Sequence, residues 1–153
     1  MAESSTVHFP NTSYDIVAIG SSAGGLKALM EVLSELPAGF PAALVIVQHL
    51  YPHHRSLLAP ILGRNTDLIV KQACDGDSLT PGLAFVAPPD RHLLVNRKGT
   101  VSLSDAELVH FLRPSADLLF ESVAACFASR SIAVVLSGTG TDGTMGVVAI
   151  KRM

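Results

Sequence analysis

The sequence is poor in charge, in aromatic residues and in cysteine, and it has no tryptophan. Each scarcity excludes something. Charged residues make up 16%, the formal net charge is −2 and the pI is about 6.3, so no basic footprint for nucleic acid is present. Aromatic residues at 5% offer no aromatic binding platform. Cys74 and Cys126 are the only cysteines, and they lie neither in a C-x-x-C pair nor beside a histidine cluster. A disulfide framework and a zinc site are therefore not expected. Residues 1–14 are polar and lack a basic start followed by an apolar stretch, so they do not read as a signal peptide. Apolar runs such as Ala42–Val47 and Ile132–Leu136 are far too short to span a bilayer. A cytoplasmic protein without membrane insertion is the expectation.

What is there is aliphatic. Hydrophobic residues reach 48% and the mean hydropathy is +0.42, which excludes disorder. A chain of 153 residues can hold one domain with a real core, burying roughly 68–70% of its unfolded surface. Aliphatic content of this kind suits buried parallel strands. Residues 1–13 read as a flexible tail and residues 14–153 as one domain.

Apolar runs bounded by Gly and Pro place the elements. Tyr14–Ile19 reads as a buried strand ended by Gly20. Leu26, Leu29, Met30, Leu33 and Leu36 recur at helical spacing, so Leu26–Leu36 reads as a helix stopped by Pro37, Gly39 and Pro41. Ala42–Val47 is a second buried strand. Arg55–Arg64 reads as a helix with Pro60 in its first turn or at a kink. Short strands are expected at Leu68–Val70 and Leu83–Ala87, with a turn at Thr80-Pro81-Gly82. His92–Asn96 and Val101–Leu103 suggest a hairpin around Arg97-Lys98-Gly99. Ser115 is an N-cap, with Asp117 in the first turn of a helix to about Phe127. Ile132–Leu136 is another buried strand, followed by a Gly-rich loop and a helix over Thr144–Met153.

This alternation predicts an α/β domain of three layers: a mostly parallel, doubly wound sheet with helices on both faces and a small antiparallel hairpin. In such sheets ligands bind beyond the carboxyl ends of the strands, where strand order reverses. The rule selects Gly20–Gly25, Gln48–His54 and Ser137–Gly143.

Gly20-Ser21-Ser22-Ala23-Gly24 fits G-x-S-x-G between a strand and a helix. That turn lifts a hydroxyl above the sheet, beside free N–H groups at the helix start. Ser22 is the central candidate nucleophile and Ser21 the alternative; a plain turn built for backbone geometry competes with both. His49, at a strand end, is the candidate general base. His49 and His53 also have metal-ligand spacing, but Pro52 argues against the helix that spacing needs, so no metal is expected. Asp142 would complete a Ser–His–Asp triad by orienting the imidazole, although Asp before Gly is also ordinary turn chemistry. Gly138, Gly140 and Gly143 match G-x-G-x-x-G, which keeps a dinucleotide-binding module as a second reading. The acidic partner that motif needs about twenty positions on would lie beyond residue 153. The order Ser…His…Asp differs from that of α/β-hydrolases, which disfavours an ordinary lipase or esterase.

The segments DIVAIGSSAGGLKAL (15–29), VIVQHLYP (45–52), DGDSLTPGLAFVAPPDRHL (75–93), RPSADLLFESVA (113–124) and VVLSGTGTDGTMG (134–146) resemble, in family order, the catalytic domain of CheB-type chemotaxis protein-glutamate methylesterases. The resemblance implies a hydrolase that removes methyl esters from glutamates on chemoreceptor cytoplasmic helices and deamidates certain glutamines, with no metal or cofactor. It implies Ser22 as nucleophile, His49 as base and Asp142 as orienting acid. Backbone N–H groups near Ala23 and Thr139 are the implied oxyanion donors. Arg113, within a matching segment, is the candidate substrate contact, ahead of Arg64 and Arg91. The GSSAGGL and SGTGTDGT wording also resembles versions fused to a receptor methyltransferase, which implies that enzyme or a receiver domain as further partners. Three differences from the family pattern stand out. A receiver domain is not expected in the residues before Tyr14, Ala23 and Thr139 replace residues common in chemotaxis members, and the family's final strand and helix are expected to be missing after Met153. A catalytically silent domain that binds receptor or methyltransferase is the competing reading.

Overall fold

The computed structural model describes residues 6–22, 25–49, 57–109, 113–137 and 144–153. In chain order the elements are β1 (Ile16–Ser21), α1 (Leu26–Ser34), β2 (Ala43–Gln48), α2 (Leu58–Gly63), β3 (Ile69–Gln72), β4 (Leu83–Val86), β5 (His92–Val95), β6 (Val101–Ser104), α3 (Ala116–Phe127), β7 (Ser131–Ser137) and α4 (Thr144–Lys151). A single 3₁₀ turn over Ala128–Arg130, not anticipated from sequence, joins α3 to β7. The helix expected over Arg55–Arg64 is described from Leu58, and residues 51–56 lie outside the described residues. Pro60 sits in its first turn, where a missing N–H costs no helical bond.

Strands β1, β2, β3, β4 and β7 form one parallel sheet in the order β3-β4-β2-β1-β7. Its central strands β1, β2 and β4 are buried on both faces, as apolar strands of a parallel sheet are, while the edge strands leave Ile69 of β3 and Ile132 and Val135 of β7 exposed, so the buried strand expected at Ile132–Leu136 is only partly covered. Ile16, Ala18, Val45, Val47 and Phe85 pack on one face against Leu119, Phe120 and Val123 of α3, with Leu93 and Val101 of the hairpin. Val17, Ile19, Leu44, Ile46 and Val86 pack on the other against Leu29 and Leu33 of α1 and Leu58 and Leu62 of α2. β5 and β6 pair antiparallel, as the sequence predicts.

One turn carries the expected chemistry. At Thr80-Pro81-Gly82 the Leu83 N–H donates to the Thr80 carbonyl at 3.1 Å, and Gly82 has φ +79°. Proline then glycine at the centre is what a turn with a left-handed third residue requires.

The sheet winds outward from β1 through β2 and β4 to β3, then returns to place β7 on the other side of β1. Strand order therefore reverses at β1, and the crevice predicted for a ligand lies at the carboxyl ends of β1 and its two neighbours.

At the opposite end of the sheet, part of the stretch expected as a loose tail is held down. Asp15 is fully buried. Arg130 Nε donates to its Oδ2 at 2.7 Å and Arg130 Nη2 to its Oδ1 at 2.9 Å. The Phe9 N–H donates to Oδ1 at 2.8 Å, and His8 Nδ1 lies 2.6 Å from Oδ2. Arg130 Nη2 also donates to the carbonyls of Phe9 and Thr12, so residues 8–12 are anchored because they supply partners for a buried ion pair. Burial alone would raise the Asp15 carboxyl. The hydrogen bonds from Arg130, Phe9 and His8, with the guanidinium charge, outweigh it and lower it from 3.8 to about 2.

Candidate active site

The site is built from the ends of parallel strands in register. Ser21 of β1 is the partner of Gln48 in β2, and on its other side of Ser137 in β7. The next residue after Ser21 is Ser22, and the next after Gln48 is His49. Their backbones are joined directly: the His49 N–H donates to the Ser21 carbonyl at 3.1 Å. The candidate nucleophile and base thus leave adjacent strands side by side, at the end of the sheet where strand order reverses.

Burial separates the two serines of the turn. Ser21 is buried at 4% exposure, whereas Ser22 and His49 are each partly exposed. Only Ser22 combines the central position of the motif with access from solvent.

The Ser22 carbonyl is held twice. It accepts the Gly25 N–H at 2.8 Å, and Gln48 Nε2 donates to it at 2.9 Å. Gly25 then caps α1 with no side chain of its own, and the first turn of α1 carries no acidic residue. The positive end of the helix dipole faces the turn without a local counter-charge on α1.

Gly20 has a second reason for being glycine beyond a tight backbone. A Cβ built there would stand 3.1 Å from Ala116 Cβ and 3.3 Å from Phe120 Cζ, so α3 packs directly on the end of β1. The start of α3 is itself fixed. Ser115 Oγ accepts the Leu118 N–H, and the Ser115 N–H donates to Nδ1 of fully buried His92 at 3.2 Å. His92 Nε2 lies 3.0 Å from the Glu107 carbonyl. Nδ1 as acceptor and Nε2 as donor define one neutral tautomer for this ring.

Arg113 lies just before that cap. Its Nε donates to Asp90 Oδ1 at 2.9 Å, and Nη1 donates to the carbonyls of Asp105 at 3.2 Å and Ala106 at 3.1 Å. Its guanidinium clamps two loops together at this edge, and its bonds are to protein groups. Arg91 pairs with Asp105 at 2.6 Å beside it.

Ala23, Thr139 and Asp142 lie outside the described residues, as do Gly138, Gly140, Gly143 and His53. The described chain does fix the flanks of the Asp142 segment: β7 ends at Ser137 beside Ser21, and α4 begins at Thr144. Among the described residues there is no cluster of three metal-ligating side chains and no helix long and apolar enough to cross a membrane. Cys74 is exposed, and burial raises the thiol of Cys126. Sequence reasoning did not single out Gln48, His92 or the Asp15–Arg130 pair. A polar residue inside an apolar run was the available signal for Gln48 and Asp15.

Comparison with known proteins adds a family and a solved relative. The family model for CheB methylesterase matches residues 17–153. A protein-glutamate methylesterase/protein-glutamine glutaminase of Thermotoga maritima is 38% identical over 149 residues, 95% of this chain and 43% of that protein. One from Myxococcus xanthus is 46% identical over 132 residues, 86% of this chain and 37% of that protein. The chain spans about two fifths of the length of these curated relatives. The crystal structure of the Thermotoga maritima CheB methylesterase catalytic domain superposes with a TM-score of 0.85 at 39% identity, covering 92% of this chain and 76% of that one.

Proposed function

The chain belongs to the CheB methylesterase family, and from that premise we propose that it is a serine hydrolase acting on methyl-esterified glutamates of chemoreceptor cytoplasmic helices. The observation that carries the reading is the juxtaposition of Ser22 and His49, each following directly on the paired residues Ser21 and Gln48. In this reading Ser22 is the nucleophile, His49 the general base and Asp142 the acid that orients the imidazole.

The chemistry is acyl transfer. His49 takes the Ser22 hydroxyl proton as Oγ attacks the side-chain ester carbonyl. The carbonyl oxygen becomes an oxyanion, stabilised by main-chain N–H groups near Ala23 and Thr139 and by the start of α1. His49 returns the proton to the departing methoxide, methanol leaves, and a glutamyl ester remains on Ser22. Water activated by the same imidazole then releases glutamate. On a glutamine substrate the same sequence would release ammonia, the activity that the relatives' second name describes. The steps call for no metal or cofactor. The proposed setting is the cytoplasm, where receptor helices are presented, with a receptor methyltransferase or a receiver domain as further partners.

A serine-reactive fluorophosphonate tests the assignment. Ser22 should carry the label, and His49→Ala should slow labelling sharply. Absence of label on Ser22 in protein that turns over methylated receptor would contradict it.

A further inference from the structure

Ser21 Oγ and Gln48 Oε1 are buried at the ends of β1 and β2 and have no hydrogen-bond partner among the described residues. Ser21 is 4% exposed and Gln48 6%, so bulk solvent satisfies neither atom. Buried polar groups are ordinarily hydrogen-bonded, and one without a partner calls for a physical reason. These two are complementary: a serine hydroxyl can donate, and a carboxamide oxygen accepts.

The fold brings them together. Ser21 and Gln48 are register partners, and neighbouring strands of a sheet lie about 4.8 Å apart. Side chains alternate between the two faces along a strand. Val17 and Ile19 of β1, with Leu44 and Ile46 of β2, pack on the face covered by α1 and α2. Ser21 and Gln48, two residues further along each strand, fall on that same face. Gly20 between Ile19 and Ser21 meets α3 on the other.

The bond that Gln48 does make fixes which way its oxygen points. Nε2 donates to the Ser22 carbonyl at 2.9 Å, so the carboxamide reaches across from β2 to the turn after Ser21. Only the amide nitrogen can bond a carbonyl oxygen. Turned over by half a rotation, the group would set Oε1 against the Ser22 carbonyl, two acceptors face to face. A donor on Oε1 prevents this. The apolar side chains on this face cannot supply one, and the Ser21 hydroxyl is the donor that the register brings alongside.

We propose that Ser21 is a positioning residue: its hydroxyl donates to Gln48 Oε1, by a turn about its Cα–Cβ bond or through one bridging water, and so keeps Nε2 on the Ser22 carbonyl. Ser21 acts through Gln48 on the nucleophile turn and does not touch the substrate. The inference rests on the assignment of Ser22 as nucleophile.

The test is a double-mutant cycle with Ser21→Ala and Gln48→Ala. It reads kcat and KM on methylated receptor and the rate of fluorophosphonate labelling, with thermal unfolding followed for each variant and a crystal structure of the parent protein. Ser21→Ala should lower kcat roughly 3- to 10-fold, the scale of a slightly misplaced nucleophile, with KM little changed. Labelling should slow in step, with the label still on Ser22. Ser21→Ala should add almost nothing on top of Gln48→Ala, and Ser21→Thr, which keeps the hydroxyl, should hold most of kcat. In the crystal, Gln48 Oε1 should accept from Ser21 Oγ or from a water bonded to it. Undiminished kcat in Ser21→Ala, an equal loss with and without Gln48, or another donor on Oε1 overturns the positioning role. Label on Ser21, or full activity in Ser22→Ala, instead overturns the nucleophile assignment beneath it, so the two failures are distinct.

Discussion

The carboxamide of Gln48 donates through Nε2 to the main-chain carbonyl of Ser22 at 2.9 Å. It ties the last residue of one strand to the candidate nucleophile at the end of the next. The bond crosses the β1–β2 boundary at the same point where the His49 N–H meets the Ser21 carbonyl. Main chain and a buried side chain thereby tie together the two strand ends that carry Ser22 and His49.

Gln48→Ala removes that donor from the Ser22 carbonyl, which keeps its bond from the Gly25 N–H. A buried acceptor that loses a hydrogen bond costs about 1–3 kcal/mol. The expected outcome is a stable protein with kcat for methyl ester hydrolysis down roughly tenfold and KM nearly unchanged. Steady-state kinetics on methylated receptor check it. An unchanged kcat would show that the turn holds itself.

Gly20→Ala should destabilise the fold by about 1–3 kcal/mol, the usual cost of overpacking, because its Cβ would press on Ala116 and Phe120. The second-site change Ala116→Gly removes one of the two contacts and should restore part of the loss. Urea unfolding of both single variants and the double variant measures the coupling. Simple additivity would contradict the direct packing.

His49→Ala should reduce turnover by roughly 10²–10⁴-fold if the imidazole is the general base. Far-ultraviolet circular dichroism should show an unchanged fold, since His49 is partly exposed at a strand end.

The Asp15–Arg130 pair predicts an acid limb of stability. The folded Asp15 carboxyl is lowered from 3.8 to about 2. Its contribution is therefore fully present above the unfolded value and is lost as pH falls through the window from 3.8 to about 2. A shift of this size corresponds to about 2 kcal/mol. Arg130→Ala leaves Asp15 buried without its cation and should cost about 3–5 kcal/mol at neutral pH. Denaturant unfolding between pH 2 and 7 checks both. A pH-independent stability across the acid range would contradict the buried pair.

Much of this arrangement is legible from local pattern. The aliphatic runs that become β1, β2 and β7 are short and set off by Gly, Pro or polar residues, so run length and composition are enough to place them, although β7 is an edge strand with Ile132 and Val135 exposed and not the buried strand its composition suggests. Ser22 and His49 emerge because the strand-end rule needs only the strands. Contacts between distant residues are another matter. Asp15 meets Arg130 across 115 positions and Asp117 meets Gly146 across 29. No periodicity encodes such a pair. Arg113 shows the same limit: its place in a matching segment implies a substrate contact, and only the fold supplies Asp90 and two loop carbonyls as its partners. The tail was read from polarity alone, which cannot reveal that His8, Phe9 and Thr12 provide partners for a buried ion pair.

The central claim is that Ser22 carries out ester hydrolysis with His49 beside it. Methanol release from methyl-esterified receptor, measured for the parent protein and for Ser22→Ala under the same conditions, tests it most directly. The account predicts release by the parent and a fall to the uncatalysed background in Ser22→Ala. Undiminished release by a correctly folded Ser22→Ala protein would contradict it.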